Sequence, residues 1–189
     1  MAGPLPPHQA QSIPAGRFRE TLGRFATGVT AVTAVDPRDG RPIGLAVNSF
    51  TSVSLEPPLA LFCVARTSTS WPRMRAARCL CVNILGSGQR ELCRRLAASG
   101  ADKFRGVEWV ESPGGAPLLA GALAWLECVV DAAHPAGDHV IVVVRVRQLA
   151  VAEDCAPLVF FGGQYGRFAA GPGSAENVYG TVAYTSAGE

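Results

Sequence analysis

Gly44-Leu-Ala-Val-Asn-Ser-Phe-Thr-Ser-Val-Ser-Leu-Glu-Pro-Pro58 is the stretch on which the reading of this chain turns. It opens as a strand of small apolar residues. It then runs into five short polar side chains, Asn48, Ser49, Thr51, Ser52 and Ser54, interrupted by Phe50. Pro57-Pro58 closes it, and a second apolar strand, Leu59 to Val64, follows at once. A hydrogen-bonding rim between two core strands suits a flat, heteroatom-rich ligand: amides and hydroxyls read its edge while apolar neighbours cover its face. A Ser/Thr-rich connection on a β-barrel would look the same in isolation.

Working outward, Gly28 to Val35 alternates Val29, Ala31 and Thr33 against Thr30, Val32 and Ala34, with a hairpin turn at Asp36-Pro-Arg-Asp-Gly40. Further strands are predicted at 42–48, 59–64, 79–84, 121–132, 139–149 and 157–161. The run Val140-Ile-Val-Val-Val-Arg-Val-Arg147 is β-branched almost throughout, which suits a pleated surface. Phe18, Leu22 and Phe25 recur at helical spacing, and short helices fit 71–77 and 88–98. In the last of these Leu92, Cys93, Leu96 and Ala97 form a stripe that Ser87 is placed to cap. Strands separated mainly by turns, with few helices, predict a mainly β fold with short helices, an antiparallel barrel rather than a doubly wound sheet.

The 189 residues fit one domain, 17–168, between a proline-rich tail (1–16) and a Gly/Ala/Ser-rich tail (169–189) expected to be disordered. Charged residues are 17% of the chain and mean hydropathy is +0.20. No apolar run approaches the ~18–20 residues that cross a bilayer, so no membrane partner is expected. The surplus apolar surface then points to a subunit interface, and a homodimer is expected. Net charge is +2, carried by 16 arginines dispersed along the chain and the single Lys103. Without a basic stripe interleaved with aromatics, no nucleic-acid partner is expected, whereas phosphate-bearing small molecules remain open. The six cysteines include no C-x-x-C pair, and there is no hydrophobic signal core, so a reduced, cytoplasmic protein is expected.

Familiar catalytic signatures are absent. Gly86-Ser-Gly-Gln-Arg-Glu91 lacks the third glycine of a dinucleotide fingerprint, and no P-loop, G-x-S-x-G or H-E-x-x-H occurs. Three histidines without an acidic cluster argue against a metal site. Instead, Ala65-Arg-Thr-Ser-Thr-Ser-Trp-Pro72 leads from a strand into a helix. Arg66, Ser68 and Ser70 converge there on exposed amides, with Ser70 as N-cap and Pro72 in the first turn, a set suited to a phosphate. His134-Pro-Ala-Gly-Asp-His139 is a turn that starts the strongest strand with His139, positioned for a pocket at the barrel mouth. Phe160-Phe-Gly-Gly-Gln-Tyr-Gly166 presents Tyr165 beyond a glycine turn, and Asp102-Lys-Phe104 sets the only lysine beside an aromatic. An exposed salt bridge is the plain expectation for Lys103.

In order and spacing these pieces resemble the flavin reductase family, the small components of two-component flavin-dependent monooxygenases. The matching residues are Arg24-Phe-Ala-Thr-Gly-Val-Thr30, Ala46 to Pro58, Ser68-Thr-Ser-Trp71, Asp102-Lys-Phe104, Gly137-Asp-His139 and Phe160 to Tyr165. The resemblance implies a split β-barrel of the flavin reductase/FMN-binding type that dimerises, with the flavin near the subunit interface. It implies that Thr27, Gly28 and Thr30 line the isoalloxazine. Val47, Asn48, Ser49, Phe50, Ser52 and Ser54 would hold the ring edge and ribityl chain, and Arg66, Ser68 and Ser70 the phosphate. His139 would lie beside the nicotinamide and Tyr165 in the turn that closes over it. Lys103 and Phe104 belong to a segment shared with members that use FAD, so FAD leads and FMN follows.

The implied reaction is hydride transfer from NADH to flavin, the reduced flavin then diffusing to an oxygenase component. One departure stands out: Gly162-Gly-Gln164 occupies a turn that often carries an Arg, which favours NADH over NADPH. Two rivals share the barrel, a non-catalytic flavin-binding electron carrier and an oxidase of a pyridoxal-type phosphate ester.

Overall fold

The computed structural model describes residues 13–100, 102–152 and 155–168. The expected tails fall almost entirely outside them. The first helix, α1 (Ala15–Leu22), starts two residues ahead of the expected domain boundary.

Among the described residues twelve antiparallel strands follow, in three sheets. The largest contains β2 (Thr30–Val35), β3 (Pro42–Val47), β4 (Thr51–Ser54), β5 (Leu59–Ala65), β6 (Leu80–Leu85), β9 (Ala122–Ala136) and β10 (His139–Val151). Its strand order is β3-β2-β6-β9-β10-β5-β4, and no ladder joins β3 to β4, so the barrel is split rather than closed. Its concave face holds the main core, where Val32, Phe62, Leu80, Val82, Val142 and Val144 are all buried together with Trp71 and Met74. Trp71 and Met74 come from the short helix α2 (Trp71–Met74), and the Trp71 ring meets Phe62 edge-on at 6.0 Å. Every residue of β2 from Thr30 to Ala34 is buried because both faces are covered. The second face carries another core, Val29, Ala31, Leu85, Cys93, Leu96 and Leu158, which seats α3 (Arg90–Ala97).

Two small sheets complete the fold. β1 (Thr27–Gly28), β11 (Leu158–Phe161) and β12 (Gln164–Arg167) form one, and β7 (Trp109–Glu111) with β8 (Pro117–Leu119) the other. Buried Asn83 ties β8 to the main sheet: its Oδ1 accepts from the Leu119 amide at 2.8 Å and its Nδ2 donates to Thr33 Oγ1 at 3.1 Å. Buried Glu127 does the same for the turn before β8, accepting from Ser112 Oγ at 2.5 Å and from the Gly114 amide at 2.6 Å. Among the described residues no helix is long and apolar enough to cross a membrane, and no group of ligating side chains could hold a metal ion.

The helix caps differ from expectation. Ser70 makes no capping bond; the Trp71 amide donates to Ser68 Oγ instead, at 3.2 Å. Ser87 opens a 3-10 turn, Ser87–Gln89, and it is Gln89 Oε1 that accepts the Gly86 amide, at 2.9 Å.

Candidate functional site

The stretch Gly44–Pro58 begins in β3 and crosses the open side of the split barrel, where it borders three hollows. The first, of about 360 Å³, is walled by Val47, Asn48 and Ser49 on one side and Ser68, Ser70, Lys103 and His139 on the other. That size falls within the ~300–1,000 Å³ typical of small-molecule sites. Asn48, Ser68 and His139 are far apart in sequence, and the fold brings them to one cavity. The second, of about 170 Å³, shares Ala46, Val47, Asn48 and Ala97 with the first and adds Val29, Cys93, Phe160 and Tyr165. A third, of about 430 Å³, meets the first at Ser70 and Lys103 and is bordered by Phe104, Gly44, Arg41 and Arg73. The first hollow shares wall residues with each of the other two, so the three adjoin as one groove, with Phe160 and Tyr165 on the second and Phe104 on the third.

Register explains the gathering. His139 pairs with Ala65 across β10 and β5, so the turn before β10 stands beside the segment that leaves β5. The Arg66 amide donates to the Asp138 carbonyl at 2.9 Å, fixing the two segments together. His139 Nδ1 is 2.7 Å from Asp138 Oδ1, an exposed contact that sets ring orientation more than it stabilises the fold. Hydrogen bonding to His139 holds the Asp138 carboxyl below its ordinary range. With Nδ1 spent on Asp138, Nε2 is the ring atom left for a ligand.

Asn48 and Ser49 are neighbours with different work. Ser49 Oγ accepts the Cys63 amide at 2.8 Å and donates to the Cys63 carbonyl at 3.3 Å, so it locks the stretch onto β5. The Asn48 side chain makes no hydrogen bond among the described residues and is exposed at the join of the first two cavities. Lys103 corrects the expectation of a surface salt bridge. Its Nζ donates to the Leu96 carbonyl at 2.9 Å and to Ser70 Oγ at 3.3 Å, and desolvation lowers its pKa. A half-buried cation at the junction of two hollows is a natural partner for a phosphate. Phe104 packs on Gly44, where a Cβ would stand 3.3 Å from its ring and 3.0 Å from the Val32 carbonyl.

Other expected residues lie outside the groove's walls. Arg66 is exposed, with Nη1 reaching the Gly137 carbonyl at 3.4 Å. Thr30 is buried and donates to the Val47 carbonyl at 3.3 Å, bracing the wall from behind. Phe50 packs against the main core, and Ser52 and Ser54 sit on the edge strand β4. Gly28 is exposed, with nothing within 4 Å of where a Cβ would be. Thr27 pairs with Phe160, whose ring lines the second cavity, and Thr27 Oγ1 is buried with no partner among the described residues. Thr67, Thr69 and Ser99 also line the first cavity, and sequence reasoning missed them. The two threonines sat inside the stretch singled out for phosphate; Ser99, past the end of α3, gave no signal.

A flavin fits this donor set. Asn48, Thr67, Thr69 and His139 offer free polar groups on one cavity, Lys103 a cation at its far end, and Val29, Val47 and Phe160 apolar cover for a ring.

Comparison with known proteins agrees with this geometry. Residues 22–169 match the model of the flavin reductase like domain. A flavin reductase of Pseudomonas putida is 48% identical over 153 residues, spanning 81% of this chain and 89% of that one. The reductase subunit HsaB of a flavin-dependent monooxygenase from Rhodococcus jostii is 44% identical over 82% of this chain and 79% of its own. Among solved structures, the NADH:FAD oxidoreductase SgcE6 of Streptomyces globisporus, in complex with NAD and FAD fragments, superposes with a TM-score of 0.77. It is 38% identical, with 85% of this chain and 95% of that one covered. Groove, split barrel and matched sequence lead to one conclusion: this chain belongs to the flavin reductase like domain family.

Proposed function

We propose that the protein is an NADH-dependent flavin reductase whose catalytic domain is residues 17–168 and whose product is reduced flavin for a separate flavin-dependent oxygenase. The observation that carries this reading is the meeting of Asn48, Ser68, Ser70, Lys103 and His139 on one cavity that continues into the aromatic hollow beside Tyr165. When bound, the flavin supplies the ring atom that accepts hydride from the nicotinamide, so the side chains need not act as nucleophiles.

The protein's own task is positioning. Asn48 and the backbone of Val47 to Ser49 read the ring edge, while Val29 and Phe160 cover its face and exclude water. Ser68, Ser70 and Lys103 hold the phosphate. His139, through Nε2, orients the nicotinamide or balances charge that develops beside it. The third hollow, entered past Ser70 and Lys103 and walled by Phe104, gives an adenosine somewhere to go. It supports FAD as the preferred flavin with FMN also accepted. A pyridoxal-phosphate oxidase would want several cations around its phosphate; among the described residues Lys103 is the only Lys or Arg on the first cavity.

The protein works as a homodimer in the cytoplasm. The apolar face of α1 supports the first statement, and six free cysteines the second. The relatives' names support the oxygenase partner.

The deciding experiment mixes purified protein with NADH and, separately, FAD, FMN or riboflavin, and follows loss of absorbance at the nicotinamide band. Turnover with FAD at least equal to that with FMN is expected. Absence of turnover with all three overturns the proposal.

A further inference from the structure

Helix α3 and the segment after it form one long side of the groove. Ala97 lines the first and second cavities, Ser99 the first, and Lys103 and Phe104 the third. Cys93 and Leu96 are buried beneath the helix. The rest of its surface carries Arg90, Arg94 and Arg95, with Glu91 as the one acid of the helix. Residues 90–105 hold five cationic side chains against two acidic ones, a net +3 where the whole chain carries +2.

These charges follow the groove from end to end. At the aromatic end the Arg90 guanidinium lies 6.0 Å from the Tyr165 ring centroid, and Arg94 stands one helical turn on. Arg95 Nη1 donates to the Arg105 carbonyl at 2.5 Å, which ties the helix to the segment past Phe104 and sets Arg105 at the other end of the rim. Arg94 and Arg105 are exposed. The ion pair of Arg94 with Glu91 is a 4.0 Å surface contact, of a kind that contributes little, and Arg105 makes no salt bridge among the described residues. Among the described residues no Asp or Glu lines the first or second cavity. The nearest acids are Asp39 and Asp102 on the third, and Asp138 beside His139.

Building on the reductase reading above, we propose that this rim is a steering surface for flavin phosphates: Arg94 and Arg105 speed the capture of an anionic flavin from solution without touching it once bound. FMN and FAD both carry negative charge on their phosphates at neutral pH, whereas riboflavin has the same ring and no charge. The Debye length is ~8 Å at physiological ionic strength and ~30 Å at 0.01 M, so a rim charge is felt well before contact. A cleft lined by one sign of charge raises the on-rate of an oppositely charged ligand by about 10- to 1,000-fold. Rim charges act on encounter and leave dissociation almost unchanged, unlike buried contacts, which slow it. That division suits a protein that must load oxidised flavin quickly and still release the reduced form.

Binding of FAD, FMN and riboflavin is followed by flavin fluorescence in stopped flow, on the full-length protein and its Arg94→Glu, Arg105→Glu and doubly substituted variants. At an ionic strength of about 20 mM, each reversal is expected to slow FAD and FMN association about threefold and the pair about tenfold. At about 500 mM the differences should shrink to below about twofold. Dissociation rates, and association of riboflavin, should stay within about twofold of wild type throughout. Arg94→Lys should associate like wild type, because steering needs the charge and not the guanidinium fork. Unchanged association at low salt in variants that melt like wild type overturns the proposal. So does a loss that falls on dissociation, or one that riboflavin shares equally. A wild type that binds none of the three flavins refutes the underlying reductase reading instead.

Discussion

Asn48 and Ser49 read alike in sequence, two small polar residues in one rim, yet the fold gives them opposite roles. Ser49 is spent on Cys63, fourteen residues on, a partner no local pattern reveals; Asn48 is left free at the meeting of two cavities. Removing the Asn48 amide should raise the KM for flavin by about three- to tenfold, the worth of one net hydrogen bond, with little change in melting temperature. Ser49→Ala should do the reverse, costing about 1–2 kcal/mol of stability by stranding the Cys63 amide, with a smaller effect on flavin. Equal effects of the two in the same assay would refute this division. His139 separates similarly. His139→Ala should raise the apparent KM for NADH or slow flavin reduction in stopped flow, while flavin binding survives. Wild-type reduction rate and NADH affinity would refute its role.

At the scale of elements, strands that form continuous apolar runs were legible, including the four-residue β11 (Leu158–Phe161), and the short polar or mixed ones were not. β2, β3, β5, β6, β9, β10 and β11 all fall where alternation or a β-branched run put them. β4, β7, β8 and β12 span only three or four residues without the unbroken aliphatic and aromatic run of β11, so neither period nor composition marks them. β9 runs on to Ala136 through His134 and Pro135, residues that read as part of the turn but pair with Ile141 and Val140 of β10. The hairpin turn after β2 was foreseen, but not its anchor. Asp36 is fully buried there, accepting from Arg38 Nη2 at 3.1 Å and from Arg73 Nε at 2.5 Å, which joins the turn to α2. The Arg38 hydrogen bond, outweighing the opposing cost of burial, lowers the Asp36 carboxyl to about 2 from an ordinary 3.8. A depressed carboxylate contributes stability that is complete above its unfolded pKa and is lost as pH falls through its folded one. The unfolding midpoint in urea should therefore drop between about pH 4 and pH 2. Asp36→Asn should be less stable at neutral pH and show a shallower drop over that window; an unchanged slope would exclude Asp36 as its source.

For the molecule as a whole, the surplus of apolar surface seen in composition reappears at defined places. None of the eight residues of α1 is buried, although Phe18 and Leu22 lie on one stripe and Phe25 follows just beyond the helix. Phe18 is 53% exposed, Leu22 56% and Phe25 75%. An isolated helix shorter than ~12–15 residues is marginal in water, and its amphipathic face normally earns its stability by packing. The Gly162 amide donates to the Gly23 carbonyl at 2.8 Å, which sets the end of α1 beside the β11–β12 turn and the exposed Phe161. The same turn leads to Tyr165, so a second copy seated on this face would also stiffen the hairpin that walls the groove. Light scattering on the eluting protein should give twice the chain mass at micromolar concentration. Phe18→Glu with Leu22→Glu should shift it to the monomer, because a stable interface needs ~1,000 Å² or more of well-packed surface and two buried charges would disrupt it. NADH turnover should fall with dissociation and recover in part as concentration rises. A wild type that elutes as a monomer across that range would leave the apolar face of α1 without the partner argued for it.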